Sequence, residues 1–151
     1  MHDTILRTLQ GLRPTILARW ETLLRAEPVT SPLANPDALV YLMDWTLDRF
    51  FHALRGPLSR RRITARGSNK LSIDGDREVC ACRMNPLLAY FTTAELALIQ
   101  AALPSLQPRD REFVLSTIRL ALQVVAKREI DTFCAVCQRR HTPSTSVESV
   151  R

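Results

Sequence analysis

Apolar residues recur at steps of three and four positions in four stretches of the chain, which is the spacing of one face of an α-helix. This pattern predicts helices near 14–26, 36–55, 86–103 and 109–137. Apolar positions also precede the first helix, from Ile5 onward, but Pro14 interrupts them and predicts a kink or a short helix before a new one. Because four amphipathic helices must bury their stripes against one another, we expect an all-α helical bundle.

Proline and its neighbours mark several helix ends. Asn35-Pro36 and Asn85-Pro86 each place a capping side chain before a proline that suits the first helical turn. Thr92 and Glu95 have the spacing of a capping box, so we expect the third helix to restart there.

The segments outside the helices lack this periodicity. Residues 57–70 are basic and polar and are predicted to form a mobile loop. Asp74-Gly75 is a turn signal that predicts a minor hairpin at 71–79. The polar residues 142–151 are predicted to be a disordered tail, which leaves 1–141 as a single helical domain.

The composition fits one globular domain, since the chain has 151 residues, of which 46% are hydrophobic and 24% charged. Charged residues interrupt the apolar runs before they reach about 18 residues, the length that spans a membrane. The first residues also lack a basic region followed by an apolar core. We therefore expect a cytoplasmic protein without a membrane partner, in which the four cysteines form no structural disulfides.

The net charge of +6 comes from one segment. Six basic residues and no acidic ones lie between Arg55 and Lys70, and the other 15 basic residues balance 15 acidic ones. A basic loop can contact the phosphates of a nucleic acid. Without interleaved aromatic residues or a known binding motif, a solvated loop is favoured and nucleic-acid binding is the alternative. The candidate phosphate contacts are Arg60, Arg61, Arg62, Arg66 and Lys70.

All four cysteines fall in two close pairs, one before the third predicted helix and one near the end of the fourth. Tetrahedral zinc takes thiolates in such pairs because two nearby ligands reach one ion with little loss of loop entropy. The sequence therefore predicts a structural zinc site that clamps two distant parts of the chain. Its ligands are Cys80, Cys82, Cys134 and Cys137.

Other uses of the cysteines stay open. An iron–sulfur cluster takes the same four ligands. A redox-active Cys-x-x-Cys is a further alternative, although such a motif usually opens a helix, whereas this one lies near a helix end. His141 follows the second pair and could replace one cysteine. Inert buried thiols are the remaining interpretation.

No catalytic motif is present: the sequence has no nucleophile elbow, phosphate-binding glycine loop, dinucleotide fingerprint or His-Glu-x-x-His. Asp44, Asp48 and His52 share one helix face, but a di-iron site needs a second such helix. We therefore predict a solvated polar face with an Asp48–His52 pair. Aromatic residues at helical spacing are assigned to the core rather than to a ligand pocket. They are Trp20, Tyr41, Trp45, Phe50, Phe51, Tyr90 and Phe91.

One early segment resembles a known family. It is Ile16-Leu17-Ala18-Arg19-Trp20-Glu21-Thr22-Leu23-Leu24. It is similar to the start of the all-helical sensor domains at the N-termini of stressosome co-antagonist proteins and some bacterial histidine kinases, where an early helix carries Ile-Leu-x-x-Trp. The likeness covers the first third of the chain and implies a dimerising, signal-receiving bundle. The paired cysteines are not part of that pattern.

Together these features predict a small non-enzymatic module with a regulatory or protein-interaction role, stabilised by a four-cysteine zinc clamp. Its partner is expected to be another protein or a second copy of the chain. The alternatives are a nucleic-acid-binding protein that uses the basic segment 55–70 and a redox or iron–sulfur sensor.

Overall fold

The structure is a computed structural model and describes residues 2–29, 34–56 and 86–141, with side chains from Asp3 to Phe133. Within these ranges it contains helices and short turns and no strand. The helices are α1 (His2–Gly11), α2 (Arg13–Ala26), α3 (Pro36–Leu39), α4 (Met43–Arg55), α5 (Leu87–Ala102) and α6 (Arg111–His141). The predicted all-α class is confirmed. The basic loop 57–70, the hairpin 71–79 and the tail 142–151 lie outside the described residues.

The helix starts near two prolines follow from local chemistry. α1 ends at Gly11 and α2 begins at Arg13, so Pro14 lies in a first turn, where its missing N–H leaves no hydrogen bond unmade. Asn35 caps α3, because its side-chain oxygen accepts a 3.0 Å hydrogen bond from the backbone N–H of Asp37. Both predicted starts are confirmed.

Two predicted continuities differ from the structure. The second predicted helix is divided into α3 and α4 by a 3-10 turn at Val40–Leu42, although none of these three residues is a helix breaker. The predicted restart at Thr92 is wrong, because α5 runs unbroken from Leu87 to Ala102. The Thr92 hydroxyl donates to the carbonyl of Leu88 at 2.8 Å, so it is satisfied inside the helix and caps nothing.

The helices form a bundle around one apolar core. α5 packs against α2 on one side and α6 on another, while α4 packs against α6 and α1. Every helix contributes buried side chains, and the largest fully buried ones include Leu9 of α1 and several from each of four other helices. The latter include Ile16 and Trp20 of α2, Leu47 and Phe50 of α4, Tyr90, Phe91 and Leu98 of α5, and Ile118 and Leu122 of α6.

α5 and α6 form an antiparallel hairpin, since only the short turns at Leu103–Ser105 and Pro108–Asp110 join them. Their register is marked by a partly buried ion pair, in which Arg119 Nε donates to Glu95 Oε1 at 2.8 Å. Because the helices are antiparallel, residues nearer the start of α5 lie beside residues nearer the end of α6. By this register, the first turn of α5 lies beside Lys127 of α6.

One described segment, Leu87–Ser105, is long and apolar enough to cross a membrane by length and composition. Glu95 is its single charged residue, and half of the segment is buried inside the bundle. α5 packs its buried half against neighbouring helices and pairs its one charge, as a bundle helix does, while Leu88 and Leu96 are exposed.

The Glu95–Arg119 pair should contribute measurably to stability. We expect Arg119→Met to lower the free energy of unfolding by about 1–3 kcal/mol, because it leaves a buried carboxylate without its donor. Urea denaturation followed by circular dichroism at neutral pH measures this change. The double variant Glu95→Gln/Arg119→Met should regain part of the loss, since an amide is less costly to bury than an unpaired charge. A double variant no more stable than Arg119→Met would contradict this account.

Candidate functional site

The predicted metal ligands are only partly covered by the structure. Cys134 and Cys137 belong to α6, whose helical backbone continues to His141, beyond the end predicted at residue 137. Their side chains, and the whole of Cys80 and Cys82, lie outside the described residues. Among the side chains that the structure describes, no group of three or more histidine, cysteine, aspartate or glutamate residues could hold a metal ion. The four-cysteine site therefore stays a prediction.

The α5–α6 hairpin determines which end of the bundle carries the second cysteine pair. Cys134 follows Lys127 by seven residues, which is about 10 Å along a helix. Because Lys127 lies beside the start of α5, this pair lies beyond that start. The chain enters α5 at Pro86, four residues after Cys82. The N-terminal end of α5 and the cysteine-bearing end of α6 are therefore at the same end of the bundle.

The acidic residues of α4 bind an arginine of α2. Arg13 Nη1 donates to Asp48 Oδ1 at 2.6 Å, and Arg13 Nη2 donates to Asp44 Oδ1 at 2.8 Å. These hydrogen bonds raise the pKa of the Arg13 guanidinium, and the one with Asp48 has the larger effect. The solvated polar face predicted for α4 is confirmed, but Asp48 pairs with Arg13 and not with His52 as expected.

A chain of buried polar groups crosses the core. The indole Nε1 of Trp20 donates to the carbonyl of Tyr90 at 3.2 Å and to Thr93 Oγ1 at 3.1 Å. On the other side, the Tyr90 hydroxyl and Thr46 Oγ1 share a hydrogen bond of 2.9 Å. The rings of Trp20 and Tyr90 also pack against each other, tilted by 47° with their centroids 4.7 Å apart.

Tyr90 is the ionisable member of this buried chain. Burial raises the pKa of its phenol, and the negative charge of Glu129 raises that pKa further, while the hydrogen bond with Thr46 lowers it. A phenol held in its protonated form is neither a base nor a nucleophile near neutral pH. The buried chain is therefore structural, as predicted for these core aromatics.

Two aromatic residues that the sequence assigns to the core lie instead on the surface. Tyr41 is 85% exposed and Trp45 is 46% exposed, and Leu42 between them is 42% exposed. The buried residues Leu39, Met43 and Leu47 recur at four-residue steps, and Tyr41 and Trp45 lie midway between them, so they face away from the core. We call Tyr41, Leu42 and Trp45 the aromatic face. The core assignment is confirmed for Trp20, Phe50, Phe51, Tyr90 and Phe91.

Arg49 supports the aromatic face from the side. Its guanidinium carbon lies 4.7 Å from the centroid of the Trp45 ring, which is a cation–π contact. It also pairs with Glu129 of α6 at 3.5 Å, and its buried Nε makes no hydrogen bond. Trp45 is thus held by a cation that is itself tied to another helix.

The charges near the aromatic face are unequally exposed. The side chains of Asp37, Asp44 and Asp48 are 74%, 70% and 67% exposed. The arginines that pair with them are closer to the protein, with Arg25 at 45% and Arg13 at 29%. A molecule approaching α3 and α4 therefore meets carboxylates before it meets guanidinium groups.

The candidate phosphate contacts of the sequence analysis lie outside the described residues. They are Arg60, Arg61, Arg62, Arg66 and Lys70. The binding of nucleic acid thus stays an alternative prediction for this chain.

The chain matches no protein-family model, no curated protein and no solved structure. The likeness of Ile16–Leu24 to bacterial sensor domains stays a prediction, and function is inferred from the geometry alone.

The buried phenol predicts alkaline behaviour. In the variant Tyr41→Phe, Tyr90 is the single tyrosine. Its pKa in the folded state is raised above 10.0, whereas a tyrosine in an unfolded chain ionises near its ordinary pKa of about 10. The unfolded state therefore loses the proton first, so the contribution to stability is complete below about pH 10 and declines as the pH rises above it.

An alkaline titration of this variant, with phenolate absorbance and circular dichroism recorded together, checks the expectation. Phenolate should form only as helical signal is lost. Phenolate that forms near the ordinary pKa with full helical signal would show that Tyr90 is accessible to water.

Proposed function

We propose that this chain is a non-enzymatic protein-interaction module that binds its partner through the aromatic face, which lies on the 3-10 turn and the start of α4. We also propose that a zinc ion joins the cysteine-bearing end of α6 to the segment that precedes α5. The observation that carries the proposal is the exposure of Tyr41 and Trp45 beside each other in a bundle that buries five other aromatic side chains.

Exposed aromatic side chains favour association for two reasons. Their burial removes a large apolar area from water, at about 25 cal/mol for each Å². They also lose little conformational freedom on binding, which is why tyrosine and tryptophan are frequent at the centres of protein interfaces. Trp45 is further ordered by Arg49, so part of the entropy cost of binding is met before a partner arrives.

The charges around the aromatic face indicate the chemistry of the partner. Because Asp37, Asp44 and Asp48 expose their carboxylates more than their arginine partners are exposed, the rim is acidic toward solvent. The proposed partner is therefore a protein segment with apolar side chains at its centre and basic residues on its flanks. Complementary charges of this kind set orientation and association rate more than affinity.

The zinc part of the proposal rests on the α5–α6 register. Cys82 is four residues from Pro86, and four residues span at most about 14 Å. Cys134 lies about 10 Å beyond the level at which α5 begins. The two cysteine pairs are therefore tethered within reach of a common point at one end of the bundle. A reducing compartment such as the cytoplasm would keep the thiols available for the ion.

Elemental analysis tests the metal site. We expect about one zinc ion for each wild-type chain purified without a metal-affinity step, and none in Cys137→Ser, because a structural site needs all four ligands. The same variant should melt earlier while staying helical, since metal binding adds to folding stability.

His141→Gln is the matched control and should keep its zinc if four thiolates are the ligands. Wild-type protein that takes up no zinc would contradict the metal proposal. A brown protein that contains iron and sulfide would replace zinc with the iron–sulfur alternative.

Peptide binding tests the aromatic face. The probe is a fluorescein-labelled amphipathic helix with leucine on one side and lysine on both flanks, and fluorescence anisotropy measures its Kd. We expect Tyr41→Ser/Trp45→Ser to weaken binding about tenfold or more, which corresponds to the loss of central interface side chains. Added salt should weaken wild-type binding by screening the acidic rim.

Two controls accompany this measurement. Leu96→Ser removes an exposed apolar side chain of α5 and should leave the Kd unchanged. A peptide with glutamate in place of lysine should bind more weakly to the wild-type protein. Equal binding of the two peptides, or an unchanged Kd in the double variant, would contradict the proposed face.

A further inference from the structure

A cavity of about 260 Å³ lies between α1 and the connection from α5 to α6. Its walls include Ile5 and Leu9 of α1, Ala102 of α5 and Val114 of α6, all of which are buried core residues. The exposed residues Thr4, Ser105 and Gln107 also line it, so the cavity opens to solvent on one side. A small molecule can therefore enter it and contact the core residues at its base.

The lining is mainly apolar, with polar groups from two sides. Thr8 contributes from α1, and Gln107 and Asp110 contribute from the connection. Mainly apolar cavities bind small apolar molecules in preference to ordered water, which needs several polar partners. The body of a ligand in this cavity is thus expected to be apolar.

The charge of the lining selects the head group of that ligand. Asp110 is the one ionisable residue among the described residues that line the cavity. Its nearest cation is Arg109, at 3.7 Å from Nε to Oδ2, and the Arg109 side chain is 82% exposed. Such an exposed pair is weak, so the carboxylate can accept hydrogen bonds from a competing ammonium group. A carboxylate ligand would meet a like charge instead.

We propose that this cavity is a binding site for a small primary amine with an apolar body. The alkyl or aryl group fills the space between Leu9, Ala102 and Val114, and the ammonium group binds Asp110. The site is separate from the aromatic face and lies at the end of the α5–α6 hairpin opposite the cysteine-bearing end of α6. A test of this site can therefore fail without affecting the proposed partner face or zinc clamp, and the reverse is also true.

Three probes with the same six-carbon body test the site: hexylamine, 1-hexanol and hexanoate. Binding to the full-length protein is followed by changes in the methyl NMR signals of Ile5, Leu9 and Val114, with ligand up to ~10 mM. We expect hexylamine to bind with a Kd of about 1 mM, 1-hexanol more weakly and hexanoate most weakly. Hexylamine should also raise the melting temperature, because it binds only the folded state.

Two variants separate the head-group contact from the cavity. Asp110→Asn should remove the preference for hexylamine over 1-hexanol and leave the binding of 1-hexanol unchanged. Thr8→Leu extends an apolar side chain from α1 into the cavity and should abolish the binding of both. Leucine is a better helix former than threonine, so this variant should keep its fold.

Thr132→Leu is the matched control. Thr8 and Thr132 each donate a hydroxyl to the carbonyl four residues earlier, those of Thr4 and Arg128, but Thr132 lies on α6 away from the cavity. Binding should be unchanged in this variant. The proposal is overturned if none of the probes binds at these concentrations, if hexanoate binds as tightly as hexylamine, or if Thr8→Leu binds like the wild-type protein.

Discussion

α5 lies inside the bundle, and each polar group that it carries inward must find a partner there, since an unmet buried group costs about 1–3 kcal/mol. Three of these groups form hydrogen bonds with side chains from three different helices. The backbone carbonyl of Tyr90 accepts from Trp20 of α2, its hydroxyl bonds Thr46 of α4, and Glu95 accepts from Arg119 of α6. Apolar packing could tolerate several arrangements of these helices, whereas these hydrogen bonds select one.

The two ends of the bundle differ because this register is set in the middle of α5. At one end, α1 and the short turns between α5 and α6 together line the cavity beside Leu9 and Val114. At the other end, α6 continues past the start of α5, because it has 31 residues against 16 in α5. The same antiparallel pairing thus gives one end a concave site and the other a helix that extends beyond its neighbour.

Local signals in the sequence predicted where the helices lie better than they predicted which side chains are buried and where a cavity forms. Pro14 and Asn35 act through their own backbone geometry, so their helix starts could be read directly. The helix restart predicted at Thr92 was wrong because the hydroxyl of a threonine inside a helix can donate to a carbonyl of the preceding turn as easily as it can cap a new helix. The core assignment of Tyr41 and Trp45 was wrong because both lie midway between the buried residues Leu39, Met43 and Leu47, a spacing that places them on the outward side. The cavity could not be predicted, since Thr8 and Asp110 are brought together only by the packing of α1 on the hairpin.

The aromatic face and the cysteine-bearing end of α6 are linked through one residue. Arg49 contacts the ring of Trp45 and pairs with Glu129, which lies on α6 five residues before Cys134. Helix ends fray first, so an ion held at Cys134 and Cys137 would restrict the opening of the turns that carry Glu129. Restricting those turns would keep the cation beneath Trp45 in place and preserve the order of the proposed binding face. A zinc clamp in this position would therefore serve recognition as well as stability, because the ion and the partner act on the same helix.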